Sequence, residues 1–345
     1  MNASVLVTAA GSIIAQGIIK SLRLAGGRRY TIIAADMSPL AAGLYRCEKG
    51  VLIPPVSSTP EYIESIIKVC NDNDVRAIFC GSDDELLVLA NAKEEIECRT
   101  DAKLLTGPAG ALSIARDKWT AYEFCKTNGL RCAPSSLPEN REEFVKEFGY
   151  PLVVKPREGY GSVHFYIAKN SEGVDAAMAA IEKAGWRPLL QKYLPGEEFT
   201  TGVTIDKDLR YAMSSISIRK IIKHGQTYKA FIDDYHSIRR SAEEVALKLG
   251  ASGPINVQTR LEGDSPVVFE INPRFSATCP MRATAGVNEP DIVFRNAVLG
   301  EEIKIDSYER LVCMRYWNEV YLPYSLYEKA SQGKIEKGAF VPDYF

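Results

Sequence analysis

Ile255-Asn256-Val257-Gln258-Thr259-Arg260-Leu261, then Glu262-Gly263-Asp264-Ser265, then Pro266-Val267-Val268-Phe269-Glu270-Ile271-Asn272-Pro273 reads as two alternating runs about a turn signal. A turn near Asp264 makes this a β-hairpin and sets Gln258 opposite Glu270 and Asn256 opposite Asn272. Side chains alternate between faces, so Asn256, Gln258, Glu270 and Asn272 share one face. Val257, Leu261, Val267, Phe269 and Ile271 take the other, which is expected to be core. A strand face carrying one carboxylate and three amides, with no lysine, is a poor solvent face and a good oxygen-donor face. Oxygen donors without sulfur or imidazole suit Mg²⁺, which takes one or two protein ligands plus phosphate oxygens and water. Arg274 follows at once and adds a cation.

Upstream, the chain alternates apolar strand-like runs at 5–9, 31–35 and 77–80 with amphipathic helices at 13–25, 61–70 and 84–96. That alternation predicts an open, doubly wound parallel sheet. Gly11 and Asp36 stand where a dinucleotide fold places its loop and ribose residues. The closely spaced glycine pair of that fingerprint is missing, so a Rossmann-like scaffold without a dinucleotide is expected. One helix is expected over 113–128. Beyond it the pattern turns antiparallel, with strands at 151–155, 164–168, 189–193, 199–205 and 211–219 and a helix at 241–249.

Lys155 ends a strand and precedes Gly159-Tyr160-Gly161-Ser162, a short loop able to aim N–H groups at phosphate oxygens. There is no GxxxxGK[ST] sequence, so this is not the P-loop solution. Further on, Glu197-Glu198 offers a carboxylate able to accept from ribose hydroxyls. The 345 residues carry 42 Lys+Arg against 44 Asp+Glu, a net charge of −2 that supplies no field for nucleic acid or an anionic membrane. No run of about 18 apolar residues predicts a spanning helix. The start reads as a strand rather than a leader, and eight scattered cysteines without CxxC pairs read as reduced thiols. A cytoplasmic protein is expected.

In order, these pieces resemble the ATP-grasp superfamily, and in detail one synthetase unit of a carbamoyl-phosphate synthase large chain, over roughly 1–310. The resemblance implies an α/β plus α+β architecture: a Rossmann-like domain at 1–112, an ATP-grasp small lobe at 113–187, and a large lobe with a C-terminal extension at 188–345. It implies ATP and Mg²⁺ (or Mn²⁺) as cofactors, with Gln258, Glu270 and Asn272 as metal ligands. ATP phosphates fall to Lys118, Lys155 and the Gly159, Gly161, Ser162 loop. Adenine falls to the segment Gln191, Lys192, Tyr193, Leu194, and ribose to Glu198. Arg274 and Arg219 are the expected catalytic residues at an acyl phosphate. Glu85, Lys229 and Arg282 are expected substrate contacts on the cleft walls.

Single-unit relatives commonly join a carboxylate to an amine, so the leading expectation is an ADP-forming ligase working through an acyl phosphate on small-molecule substrates. Two alternatives stand beside it: a unit that phosphorylates bicarbonate, and a non-catalytic ATP-binding subunit. The aromatic tail (Tyr316, Trp317, Tyr321, Tyr324, Tyr327) is either a homodimer interface or the last packed segment.

Overall fold

The computed structural model describes residues 2–27, 29–159, 161–316 and 318–343. The first sheet contains β1 (Asn2–Val7), β2 (Arg29–Asp36), β3 (Lys49–Leu52), β4 (Val75–Phe79) and β5 (Lys103–Leu104), ordered β3-β2-β1-β4-β5 and parallel throughout. Its central strands β1, β2 and β4 are buried on both faces, hence their continuous apolar runs. The helices packed on it include α1 (Ile13–Arg23), capped by Ser12 Oγ accepting from Ala15 N at 2.9 Å, and α2 (Thr59–Asp72).

The stretch expected as one helix at 84–96 is two, α3 (Asp83–Asn91) and α4 (Lys93–Arg99), separated at Ala92. Likewise 113–128 divides into α5 (Ala109–Arg116) and α6 (Lys118–Thr127). Asp117 leaves the helical conformation there, accepts from Trp119 N at 2.9 Å, and pairs with Arg157. Helix periodicity alone does not reveal that break. Its effect is to set Lys118 at the first position of α6.

The second sheet has β6 (Ser135–Ser136), β7 (Leu152–Pro156), β8 (Tyr166–Ala168) and β9 (Pro188–Lys192), ordered β6-β9-β7-β8 and antiparallel. It packs on α7 (Arg141–Phe148) and α8 (Ser171–Lys183) through Phe144, Val154, Val174, Ile181 and Leu190. The strand expected to open the large lobe at 188 pairs here, with β7.

The third sheet joins β10 (Glu198–Ile205), β11 (Ala212–Lys223), β12 (Gln226–Ile232), β13 (Gly253–Glu262), β14 (Ser265–Asn272) and β15 (Leu311–Met314) in the order β14-β13-β10-β11-β12-β15. One face packs on α9 (His236–Leu249). The other meets α10 (Cys279–Thr284) and α11 (Glu289–Leu299). A single core unites these helices and Met213, Ile216 and Ile218 with Val5 and Phe79 of the first sheet and Ile18 of α1, so the parallel domain and the large sheet are packed as one body.

The decisive hairpin has the expected register at its inner end, Asn256 opposite Asn272 and Gln258 opposite Glu270. A bulge then follows between Gln258 and Thr259, and the strands close through Gly263-Asp264, where Gly263 has φ +61° as a two-residue hairpin turn requires. The extra residue turns Val267 and Phe269 away from the core expected for them. Val268 enters it instead, beside Val257 and Ile271. In the tail, Tyr321 stacks on Phe340 at 5.6 Å while Tyr324, in α12 (Tyr324–Ser331), stays exposed, so that segment is part packed and part open. Trp317 lies outside the described residues, as does Tyr160 of the glycine loop. Among the described residues no helix is long and apolar enough to cross a membrane.

Candidate active site

A cleft of 780 Å³ runs between the second and third sheets and ends against the first domain. Its floor is the polar face of the β13–β14 hairpin. Glu270 lies deep in it and accepts from Asn272 Nδ2 at 3.0 Å. Burial by itself pushes the Glu270 carboxyl upward, but Lys118, Lys155, Asn272 and Lys220 together hold it below the usual carboxylate range. The face therefore carries a firm negative charge, surrounded by lysines.

Lys155, at the end of β7, is 4% exposed. Its Nζ donates to Gln191 Oε1 at 2.9 Å and to Phe269 O at 3.4 Å. Burial pulls its pKa down to about 8, with Lys118 acting the same way and Glu270 and Glu198 against it. Lys118 is held at the other side of the loop, its Nζ donating to Gly159 O at 2.6 Å. Gly161 and Ser162 both have positive φ and roof the cleft. The roof rests on the β11–β12 turn so closely that a Cβ on Gly225 would lie 2.8 Å from Gly161 O.

The adenine end differs in detail from expectation. Gln191 spends its side chain on Lys155 and on Ser135 Oγ (3.0 Å), and Lys192 Nζ turns out to Glu262 at 2.7 Å. The backbone is what remains. The N–H groups of Tyr193 and Leu194 have no acceptor among the described residues, though Leu194 is buried. Val153, Ile167, Leu194 and Phe269 form an apolar slot beside them, so a flat base with hydrogen-bonding edges fits. Glu198 lies near, its two oxygens on Lys220 Nζ and Arg260 Nη2, both at 2.7 Å.

At the opposite end, Arg274 is clamped by Asp83 from α3 of the first domain, Nε to Oδ1 at 2.7 Å and Nη2 to Oδ2 at 2.9 Å. Lys220 escapes the sequence reading, which also chooses Glu85 rather than Asp83 from the 81–85 loop that opens a helix facing the cleft. Lys220 pairs across the strands with Glu198 and donates to Gln258 Oε1 at 2.5 Å. Counting the β10–β11 hairpin about its turn would have found it; Asp83 is met only when two domains pack.

Four expected residues stand apart from the cleft. Arg219 neighbours Lys220 in β11 and so points to the other face, over the Phe231 ring at 4.1 Å and paired with Glu197. Lys229 is exposed on β12 and does not line the cleft. Glu85 is two residues past Asp83, which on a helix is more than half a turn; it is buried and accepts from Thr8 Oγ1 at 2.6 Å. Arg282 is fully buried, paired with Glu289 at 3.1 Å and donating to Asn256 Oδ1 at 2.8 Å. Its role is to brace the inner end of the hairpin's polar face through Asn256. Arg282→Ala, by stranding the buried Glu289 carboxylate, is expected to lower unfolding free energy by about 3–5 kcal/mol in a denaturant titration.

The polar face also answers which ion it could take. Among the described residues no three His, Cys, Asp or Glu side chains converge as a metal-binding group. Any ion here relies on Glu270, whose Oε2 is uncommitted among the described residues, on amide oxygens of Asn272 and Gln258, and on ligand oxygens. That all-oxygen, ligand-sharing set fits Mg²⁺.

Comparison with known proteins agrees with this geometry. Residues 186–319 match the model "ATP-grasp in the biosynthetic pathway with Ter operon", and 5–100 match "PylC-like, N-terminal domain". The segment 186–319 is thereby assigned to the ATP-grasp superfamily. It is 26% identical over 217 residues to the carbamoyl phosphate synthase large chain of Neisseria meningitidis, covering 58% of this chain and 20% of the relative. The chain thus spans about a fifth of the length of that relative. In fold it is similar to N5-carboxyaminoimidazole synthetase from Staphylococcus aureus complexed with ADP (TM-score 0.69, 16% identity, 91% of this chain and 82% of that one). It is also similar to the biotin carboxylase–β,γ-ATP complex from Campylobacter jejuni (TM-score 0.68, 17% identity, 88% and 72%).

Proposed function

We propose that this ATP-grasp protein is an ATP- and Mg²⁺-dependent ligase that joins a small-molecule carboxylate to an amine (or other nucleophile), releasing ADP and phosphate. The observation that carries the reading is the single ionised Glu270 among Lys118, Lys155 and Lys220, between an apolar base slot and the clamped Arg274.

Glu270, Asn272 and Gln258 would hold Mg²⁺ or Mn²⁺, which supplies charge neutralisation at the β- and γ-phosphate oxygens. Lys155 and Lys118 add positive charge, and Gly159, Gly161 and Ser162 exclude water. A carboxylate oxygen of the substrate attacks the γ-phosphorus in line, and the bond from that phosphorus to ADP breaks. The amine nitrogen then attacks the acyl carbon, phosphate departs, and the amine's proton passes to phosphate or water. Catalysis is positioning and electrostatics, with no side-chain nucleophile. Arg274 would face the acyl phosphate. Eight unpaired thiols support a reducing, cytoplasmic setting, and the part-exposed tail is the segment on which a homodimer would form.

An ADP-release screen crossing carboxylates with amines tests this; ¹⁸O passing from carboxylate to phosphate is expected, and AMP plus pyrophosphate would overturn it. A second reading, bicarbonate as the phosphoryl acceptor, is favoured by the likeness to carbamoyl phosphate synthase and predicts ADP release with bicarbonate alone. In either case Asp83→Asn should cut kcat by about tenfold with little change in the KM for ATP, because Arg274 keeps its charge but loses its bidentate clamp.

A further inference from the structure

Beyond Arg274 the cleft continues to a wall carrying Arg315, just past β15. Its guanidinium donates to Thr227 O at 3.0 Å and to Ala277 O, which leaves three of its five N–H groups uncommitted among the described residues. The other two arginines lining the cleft are each neutralised, Arg260 by Glu198 and Arg274 by Asp83. Arg315 has no carboxylate partner among the described residues.

Two further cations crowd the same place. Gly17 on α1 packs on Ala277, so close that a Cβ there would lie 3.3 Å from Ala277 Cα. Lys20 is one turn further along the same face of α1 and so comes beside Arg315. Arg46 follows the short turn after β2, and its charge acts on Lys20. Burial first, then the charges of Arg315 and Arg46, pull the Lys20 pKa down, and no acidic group acts on it. None of the three forms an ion pair among the described residues. Three unneutralised cations held together repel one another, an arrangement that an anionic ligand would relieve.

We propose that Arg315, with Lys20 and Arg46 beside it, seats an anionic group (a carboxylate or a phosphate) carried by one of the two organic substrates, remote from the carboxyl that is phosphorylated. The substrate class is thereby narrowed to molecules bearing an additional anion. This rests on the ligase reading for its meaning, though not for its measurement.

The test is titration calorimetry of the full chain saturated with Mg²⁺ and a non-hydrolysable ATP analogue, so that the nucleotide's own phosphate positions are filled. Inorganic phosphate and glutarate are titrated separately. Saturable binding of at least one is expected, and the one that binds says which anion the wall takes. Arg315→Gln should weaken it by about tenfold or more, and Lys20→Gln by about threefold. No binding of either probe to the unsubstituted protein, or equal binding to both variants, would overturn the proposal. Should Arg315→Gln fail to fold, the double change Lys20→Gln, Arg46→Gln decides in the same way. Analogue binding measured in the same samples reports on the ligase reading separately: its loss strikes that reading, while probe binding sensitive to Arg315 still supports the anion site.

Discussion

Glu270→Gln leaves the fold intact and lowers ADP release about a thousandfold or more, with kcat falling further than the KM for ATP rises. The substitution is isosteric, and the amide can still accept from Asn272 Nδ2. What disappears is one negative charge at the centre of Lys118, Lys155 and Lys220. ATP brings its own negative charge, so binding survives. The transition state suffers, because the transferring phosphoryl group loses the cation that Glu270 would hold; a thousandfold corresponds to about 4 kcal/mol. Initial-rate ADP release beside analogue binding checks both halves, and turnover within tenfold of the original would remove Glu270 from the mechanism. The pH profile adds a sign. The Glu270 carboxyl is held below the usual carboxylate range, so it stays ionised as pH falls through that range. Any acid loss of activity due to Glu270 must then lie below the ordinary carboxylate pKa, and a limb well above it would need another group.

How far the chain could be read in advance follows from which interactions are local. Alternation along a strand is local, so the polar face of the hairpin and the pairing of Gln258 with Glu270 were visible in the residues. The bulge beside Thr259 was not, because it depends on how β14 meets the chain at 131–133, and it alone carries Phe269 from the expected core into the base slot. Strand parity also settles the one-residue difference between Arg219 and Lys220: neighbours in a strand face opposite ways, and only pairing with Glu198 says which faces the cleft. Arg282 looked like a cleft cation because charged residues are seldom fully buried. Its partner Glu289 lies a helix away, and the pair becomes visible only once α10 and α11 are packed. Asp83 and Arg315 belong to contacts between modules far apart in sequence, and no spacing within either module announces them.

Lys155→Met should weaken ATP binding roughly a hundredfold, about 2.7 kcal/mol, by removing a charge-assisted contact to phosphate. Stability is expected to hold or rise, since methionine fills the stem's apolar space and removes a buried cation that no carboxylate pairs directly. Weakened binding without loss of stability separates a ligand contact from a structural role. The pH dependence follows from the pKa of about 8 to which burial pulls this lysine. Below that pH the ammonium is fully formed and ready for phosphate. As pH rises through it the proton leaves, and the neutral amine no longer offsets phosphate charge. The apparent Kd for the Mg²⁺–ATP analogue should therefore be flat below about pH 7.5 and climb by about tenfold per pH unit above 8. In Lys155→Met the same titration should be flat across that window. A rise that persists in the methionine variant would assign the titration to some other group and leave Lys155 without the phosphate-binding role.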